Sequence, residues 1–392
     1  MRTIIALLLF INSLGLFAQT PELIPFLKGK RWGFVNAQRE IVVPCMYDYV
    51  YPFSEGLALV ELERKFGYIN AQGKTVIPLK YDKAQPFKQG RAKVETIFGK
   101  RTNGQFKVGY IDKTGKEIIP LQYLGLTNFR DNMATIWDGD YNGYIDYVGK
   151  VLVKPQYKFA SRFSESRAWV ATKMPTYDML VGCFLHKEAF LIDAQGKQLH
   201  TIKNAGSESF SEGLCLIIAK TNDSTVTRYF IDKQGKKVLD VSDYDAVHGF
   251  TEGLAAVMKN NKLGFIDRAG KLVIPCQYSI NFKWFYQDHK RTLFNFKKGL
   301  TAVMLAPDQG WNVIDKQGKT KLPRNYQYLR VATSTQILAK RNNHWGIISP
   351  EGEIILPLQY QAVKPFKNGL ALVRKGRKWF YVDRDGNEYF EE

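Results

Sequence analysis

Gly67-Tyr68-Ile69-Asn70-Ala71-Gln72-Gly73-Lys74-Thr75-Val76-Ile77-Pro78-Leu79-Lys80-Tyr81 reads as a single β-hairpin. An aromatic and a β-branched residue lead into Asn70, and Gly73 follows three residues later. Asx-x-x-Gly suits a type I turn in which the Asx side chain accepts backbone N–H groups and the glycine takes positive φ. The β-branched run after the glycine predicts a second strand. Proline, which cannot donate to a ladder, is expected to end it.

The same reading applies ten times along the chain. Gly33-Phe34-Val35-Asn36, Gly109-Tyr110-Ile111-Asp112, Gly143-Tyr144-Ile145-Asp146, Gly264-Phe265-Ile266-Asp267 and Gly346-Ile347-Ile348-Ser349 repeat the first strand. Degenerate copies end at Asp193, Asp232, Asp315 and Asp383. Successive Asx or Ser positions lie 34, 42, 34, 47, 39, 35, 48, 34 and 34 residues apart, so the base unit is 34 residues with insertions. The turn glycine recurs in nine copies, and Arg39 holds its place in the first. A tyrosine sits eight residues past the turn glycine position in most copies, as Tyr47, Tyr81, Tyr123, Tyr157, Tyr278, Tyr326 and Tyr360. In the fourth copy the proline slips to Pro155 while Tyr157 keeps its spacing, which marks the ring as a core residue. Phe-x-x-Gly-Leu-Ala-x-Val, as at Phe53 to Val60 and Phe366 to Val373, predicts a third strand closing each unit.

These motifs, with Arg31-Trp32-Gly33-Phe34-Val35-Asn36 and His344-Trp345-Gly346, resemble the WG (KWG) β-repeat family of bacterial exported proteins over residues 29–392. The tryptophan is replaced by Phe66, Val108, Asn142 and Leu263 in other copies. The resemblance implies a β-repeat array used for interaction, and no catalytic residues come with it. A unit of three short strands cannot bury its own apolar face, so neighbours must stack into a continuous core. The expected fold is all-β, a tandem array of about ten three-stranded repeats, superhelical and solenoid-like. A β-propeller is the alternative, since its blades take about 40–45 residues and ten copies are many for one ring. The acidic end at Glu391-Glu392 suits a charged terminal cap.

Around this array, composition excludes several classes. The chain has 392 residues, 14% of them aromatic, which excludes intrinsic disorder. Its four cysteines cannot act as a disulfide framework. Residues 1–18 read as a signal peptide: Arg2, then an apolar run from Ile4 to Ile11, then Ala18 before the cleavage point. Residues 19–28 form a lead-in or cap. The mature chain is therefore expected outside the cytoplasm: periplasmic, outer-surface or secreted. No later stretch has the length of a spanning helix. Formal net charge is +19, and its excess of Lys and Arg favours polyanions such as envelope glycan. Nucleic acid is disfavoured as a designed target, because no stacking signature of an RNA-binding module is present.

Candidate chemistry is sparse. Cys45, Cys276 and Cys215 replace small or apolar residues at repeat positions, which marks them as core. The histidines 186, 200, 248, 289 and 344 share no ligand spacing. Asp138, Asp140 and Asn142, with Asp146, match part of a calcium loop, but Gly149 stands where a bidentate Glu is needed. No metal or cofactor is therefore expected. Insertions in repeat arrays gather on one face, often the binding face. Residues 281–291 mix rings with cations, so Trp284, Tyr286, Lys290 and Arg291 are the candidate ligand-binding residues, with 95–105 and 171–187 as further insertions. The expected function is an exported, non-catalytic binding or scaffolding protein, monomeric, facing an envelope glycan or a protein partner. Two rivals stand beside it: a purely structural surface array, and a polysaccharide hydrolase using carboxylates such as Asp138, Asp140 or Glu165.

Overall fold

The computed structural model describes residues 22–98, 105–178, 181, 183–222, 225–280 and 294–391. The residues described form strands, turns and no helix, so the all-β expectation holds. The strands fall into seven sheets, four of which are four-stranded meanders.

The second unit shows how the sequence builds one. Asn70 Oδ1 accepts the N–H groups of Gln72 and Lys74, at 3.1 and 2.9 Å, and Gly73 at φ 75° completes the turn. The hairpin joins Lys65–Ile69 to Thr75–Tyr81, and the second strand runs through Pro78 instead of ending there. Its register shifts between Phe66 and Tyr68, so a bulge absorbs the proline. Gly67 faces this bulge, where a Cβ would lie 2.7 Å from the Ile77 carbonyl oxygen. That close approach explains the glycine of the motif. In the fifth and sixth copies, where Phe190 and Tyr229 replace it, the ladder passes that position unshifted.

Two expectations about the unit need correction. The Phe-x-x-Gly-Leu-Ala-x-Val segment opens the next sheet instead of closing its own: Ala58–Leu62 pairs with Lys65–Ile69 and with a two-residue strand, Tyr49–Val50. The unit therefore has four strands, not three. Its tyrosine is a core residue in most copies: Tyr47, Tyr81, Tyr278, Tyr326 and Tyr360 are buried, while Tyr123 and Tyr157 are half-buried.

Neighbouring units lock together by three recurring contacts. Aromatic rings of one unit meet the phenylalanine of the next, as in Tyr68–Phe87 and Tyr144–Phe163, with centroids 4.8 and 4.7 Å apart. The turn glycine packs on an aliphatic side chain of the preceding unit, Gly73 on Val43 and Gly115 on Ile77. A turn carboxylate forms the third lock. Glu55 accepts the N–H groups of Gln89 and Gly90 and lies 3.6 Å from Lys113. Glu165 does the same with Gly213 and Lys233, and Glu252 with Lys298, Gly299 and Lys316.

The two ends of the array meet. Ile24–Lys28 pairs in parallel with Glu388–Glu391, matching Leu27 with Phe390, and the joined sheet has seven strands. Arg39 makes the closing contact: its guanidinium donates to the Glu388 carbonyl at 3.2 Å and stands over the Tyr389 ring. One apolar cluster spans both ends, from Ile24 and Phe34 to Phe380 and Tyr389. The final strand is thus a paired element, not a charged cap. An open superhelical array leaves its ends apart and is not confirmed. The terminal pairing matches the closed alternative.

Candidate functional site

The fifth unit departs most from the consensus. Lacking the glycine and the proline, its hairpin has no mid-strand bulge and runs on: Cys183–Asp193 is 11 residues long and pairs with Gln198–Ser207. The extra length lets Thr176–Asp178 add to its far end, Tyr177 opposite Phe184. This ribbon carries exposed apolar side chains at Tyr177 (56%) and Phe184 (59%), with Met174 (65%) just before it. The Tyr177 and Phe184 rings meet edge to face at 5.3 Å.

Behind the ribbon lies a cavity of about 400 Å³. Phe159, Trp169 and Phe184 give it aromatic walls, Met174 and Pro175 also line it, and His186, Glu208 and His248 supply polar groups. Trp169 occupies the place of Leu59 in the second unit and remains a buried core residue, 2% exposed, that also borders the cavity. His186 is 5% exposed, lies 4.4 Å from the Phe159 ring, and its Nδ1 has no hydrogen-bond partner. Burial holds the His186 imidazole below its ordinary value, so it is neutral at pH 7. Glu208 accepts the Gly249 N–H at 2.9 Å, tying the sixth unit to the seventh across the cavity floor. Cys183 also lines the cavity. Deeper in, burial pushes the Cys215 thiol up to about 12, so it packs as an apolar group and is no nucleophile.

The other candidate residues fall elsewhere. Trp284, Tyr286, Lys290 and Arg291 lie outside the described residues. Of the 171–187 insertion, Thr176–Asp178 and the start of Cys183–Asp193 build the ribbon, whereas most of 95–105 lies outside the described residues. Asp138 spends its Oδ1 on the N–H groups of Asp140 and Tyr141, and Asn142 donates to the Tyr157 and Lys158 carbonyls. Lys158 donates to the Asp140 carbonyl and stands over the Tyr141 ring, so an ammonium already sits beside this loop. Among the described residues no three acidic, His or Cys side chains are grouped to hold a metal. The carboxylates named for hydrolysis are engaged too. Backbone N–H groups of Tyr141 and Asp140 hold Asp138 below its ordinary value. At Glu165 burial opposes ionisation, yet Lys233 and the Gly213 N–H prevail and lower it. A general acid for glycoside cleavage needs the opposite shift.

Trp169 escaped the sequence reading because it sits at a repeat position, where a core role is the simplest account, while His186 and His248 were set aside for want of a shared ligand spacing. The departure of Trp169 from leucine was the available signal.

A family model described as the WG containing repeat matches residues 32–66, 66–96, 109–136, 143–172, 230–262, 264–279 and 345–379, more than half of the chain. The chain belongs to the WG-repeat family. Most of the cavity lining, from Met174 to Ile218, falls between the matches that end at 172 and resume at 230, while Phe159, Ser161, Trp169, Val247 and His248 come from the matched flanks. No curated protein matches this chain. Among solved structures it is similar to one titled as the eukaryotic initiation factor, at 10% identity over 94% of this chain and 95% of that one, with TM-score 0.45. It is also similar to the Pyrococcus horikoshii acylaminoacyl peptidase, at 9% identity over 75% and 56%, with TM-score 0.35. A protein of unknown function from Bacteroides caccae gives 15% identity over 64% and 91%, with TM-score 0.19. Among the described residues no helix is long and apolar enough to cross a membrane.

Proposed function

We propose that this WG-repeat protein is an exported, non-catalytic binding protein, a closed propeller-like ring of repeats, whose fifth-unit cavity takes a sugar residue of an envelope glycan. The observation that carries this reading is the cavity itself: aromatic walls from Trp169, Phe159 and Phe184 beside a neutral imidazole with an open nitrogen. Saccharides offer apolar C–H faces for stacking and hydroxyls for hydrogen bonds, and sites of this kind are mostly apolar with a few placed polar groups. The excess of Lys and Arg, +19 in the full chain and +18 once Arg2 leaves with residues 1–18, supplies long-range attraction to an anionic envelope, but the cavity supplies the shape.

The test is quenching or enhancement of tryptophan fluorescence on titration with defined envelope oligosaccharides, at low and high salt. Saturable change that survives salt and is lost in Phe184→Ala and His186→Ala supports the reading. Retention on glycan that salt abolishes, unchanged in both variants, refutes it. A protein partner is the second reading, favoured by the exposed apolar side chains of Met174, Tyr177 and Phe184. Loss of pull-down with Tyr177→Ser, with no saccharide response, would select it.

A further inference from the structure

Where other units carry a pair of leucines, Leu57 and Leu59, Leu214 and Leu216, or Leu370 and Leu372, the third unit carries Arg91 and Lys93. Residues two apart on a strand share a face. In the second unit that face is apolar, with Leu57 and Leu59 packed in one cluster with Tyr68 and Phe87. Two cations therefore stand at a seam that elsewhere buries leucine, facing Tyr110 and Phe129 of the equivalent aromatic lock.

The seam is not filled. A cavity of about 130 Å³ lies along it, lined by Lys88, Arg91 and Lys93 on one side and Tyr147 on the other. The Arg91 guanidinium stacks on the Tyr147 ring, 3.4 Å from its centroid, and donates to the Tyr147 carbonyl. Its Nε is buried with no acceptor. The Lys93 side chain is 15% exposed and its ammonium donates to the Leu126 carbonyl at 3.0 Å. One carboxylate faces it: Glu95, at 3.7 Å, shared with Lys83 at the same distance. Arg162 of the fifth unit adds its positive field. The turn carboxylate that serves as a lock at Glu55, Glu165, Glu212 and Glu252 is here Gln89, so positive charge is in excess. Partly buried cations without a counter-charge are costly, and an anion placed among them removes that cost.

We propose that the seam between the third and fourth units binds a small oxyanion, a phosphate or sulfate group, held by Arg91 and Lys93 with Lys88 at the mouth. The volume admits one such group and little besides, so a larger ligand inserts its charged end alone. The guanidinium fork and the ammonium suit tetrahedral oxygens.

The experiment is calorimetric titration and thermal unfolding of the full chain with inorganic phosphate, at ionic strength held constant with sodium chloride. A saturable heat and a melting temperature that rises with phosphate concentration are expected. Glycerol phosphate is the second arm: binding of both ligands assigns the site to a phosphorylated end group, binding of inorganic phosphate alone to the free ion. Arg91→Leu with Lys93→Leu gives the pair found in the second unit and should weaken phosphate at least tenfold while the melting temperature without phosphate stays level or rises. If that variant does not fold, Gln89→Glu decides, since it keeps both cations but returns a carboxylate to the seam and should also weaken phosphate. A wild-type shift matched by chloride, or unchanged affinity in the variant read, overturns the proposal.

Discussion

Replacing Gly67 by alanine tests the account of the motif glycine. The added Cβ would lie 2.7 Å from the Ile77 carbonyl oxygen and 2.8 Å from both Leu79 N and Pro78 C. Heavy atoms attract best near 3.5–4.0 Å, so the two strands must part by roughly 0.7 Å or more across the bulge. All three clashing atoms are backbone, so no side chain can rotate away. Overpacking of this kind costs about 1–3 kcal/mol. Stretching the flanking ladder adds about 1 kcal/mol per weakened backbone bond. The expected cost is thus about 3 kcal/mol. Gly56→Ala is the control: at φ 88° it meets no atom within 4 Å, so its cost is conformational, about 1–2 kcal/mol. Both variants stiffen the unfolded chain alike, so that contribution cancels in the comparison. Repeat arrays need not unfold in one step. The assay is therefore urea unfolding combined with amide exchange at Lys65–Ile69 and Thr75–Tyr81. If Gly67→Ala costs no more than Gly56→Ala, the close-approach argument fails.

Protonation of His186 should destabilise the cavity. Its folded value is depressed, so the unfolded chain binds more protons below about 6.5; stability is full above that pH and declines as pH falls through the folded value. Melting temperatures from pH 7.5 to 5 should show this slope, and His186→Gln should flatten it. The turn carboxylates act lower on the scale. Hydrogen bonds from Gly90 N–H and its neighbours depress Glu55, and Lys233 helps depress Glu165, so their stabilisation is present above about pH 4.3 and is lost as pH falls through their folded values. Glu55→Gln with Glu165→Gln should make acid unfolding between pH 5 and 3 less steep. Tyr389 is 3% exposed at the closing seam, and its hydroxyl donates to Asp383 at 2.7 Å. Tyr389→Ala should cost about 3–5 kcal/mol and accelerate amide exchange in Ile24–Lys28, with an increased radius of gyration if the ends separate. Unchanged exchange there would mean that the end-to-end pairing adds nothing to closure.

The hairpins were legible because their cause is local. Asn70 and Gly73 build the turn from their own side-chain and backbone chemistry, and the repeat spacing carries that signal ten times. The bulge was not, since the reason for Gly67 is a non-local approach to Pro78. A two-residue strand such as Tyr49–Val50 leaves no alternation to read, which is why four strands were counted as three. Closure had one sequence signal, Arg39 at a position otherwise held by glycine. Its meaning emerges from the contact with Glu388 and Tyr389. For the site, insertion length pointed to 171–187 as one of three candidates, and that segment does wall the cavity. Charge and aromatic content favoured 281–291, which lies outside the described residues.

Both proposed sites alter the same two repeat positions. The pair that is Leu57 and Leu59 in the second unit becomes Arg167 and Trp169 beside the large cavity, and Arg91 and Lys93 beside the small one. The pair faces the neighbouring unit, so replacing it cannot be neutral: either the neighbour adapts or a space opens. Arg167 keeps its seam closed by donating to the Lys233 carbonyl at 2.9 Å, and Trp169 turns the strand face into a wall. Arg91 leaves its Nε without an acceptor and a space beside it. At both proposed sites the pair is thus altered; in the third unit the hairpin keeps its bulge, whereas in the fifth the hairpin changes as well. Leucine at Arg91 and Lys93 should then weaken binding at least tenfold with stability level or raised, whereas Trp169→Leu should spare the fold and remove the aromatic wall. If Trp169→Leu unfolds the fifth unit, the pair is structural there and the shared logic fails.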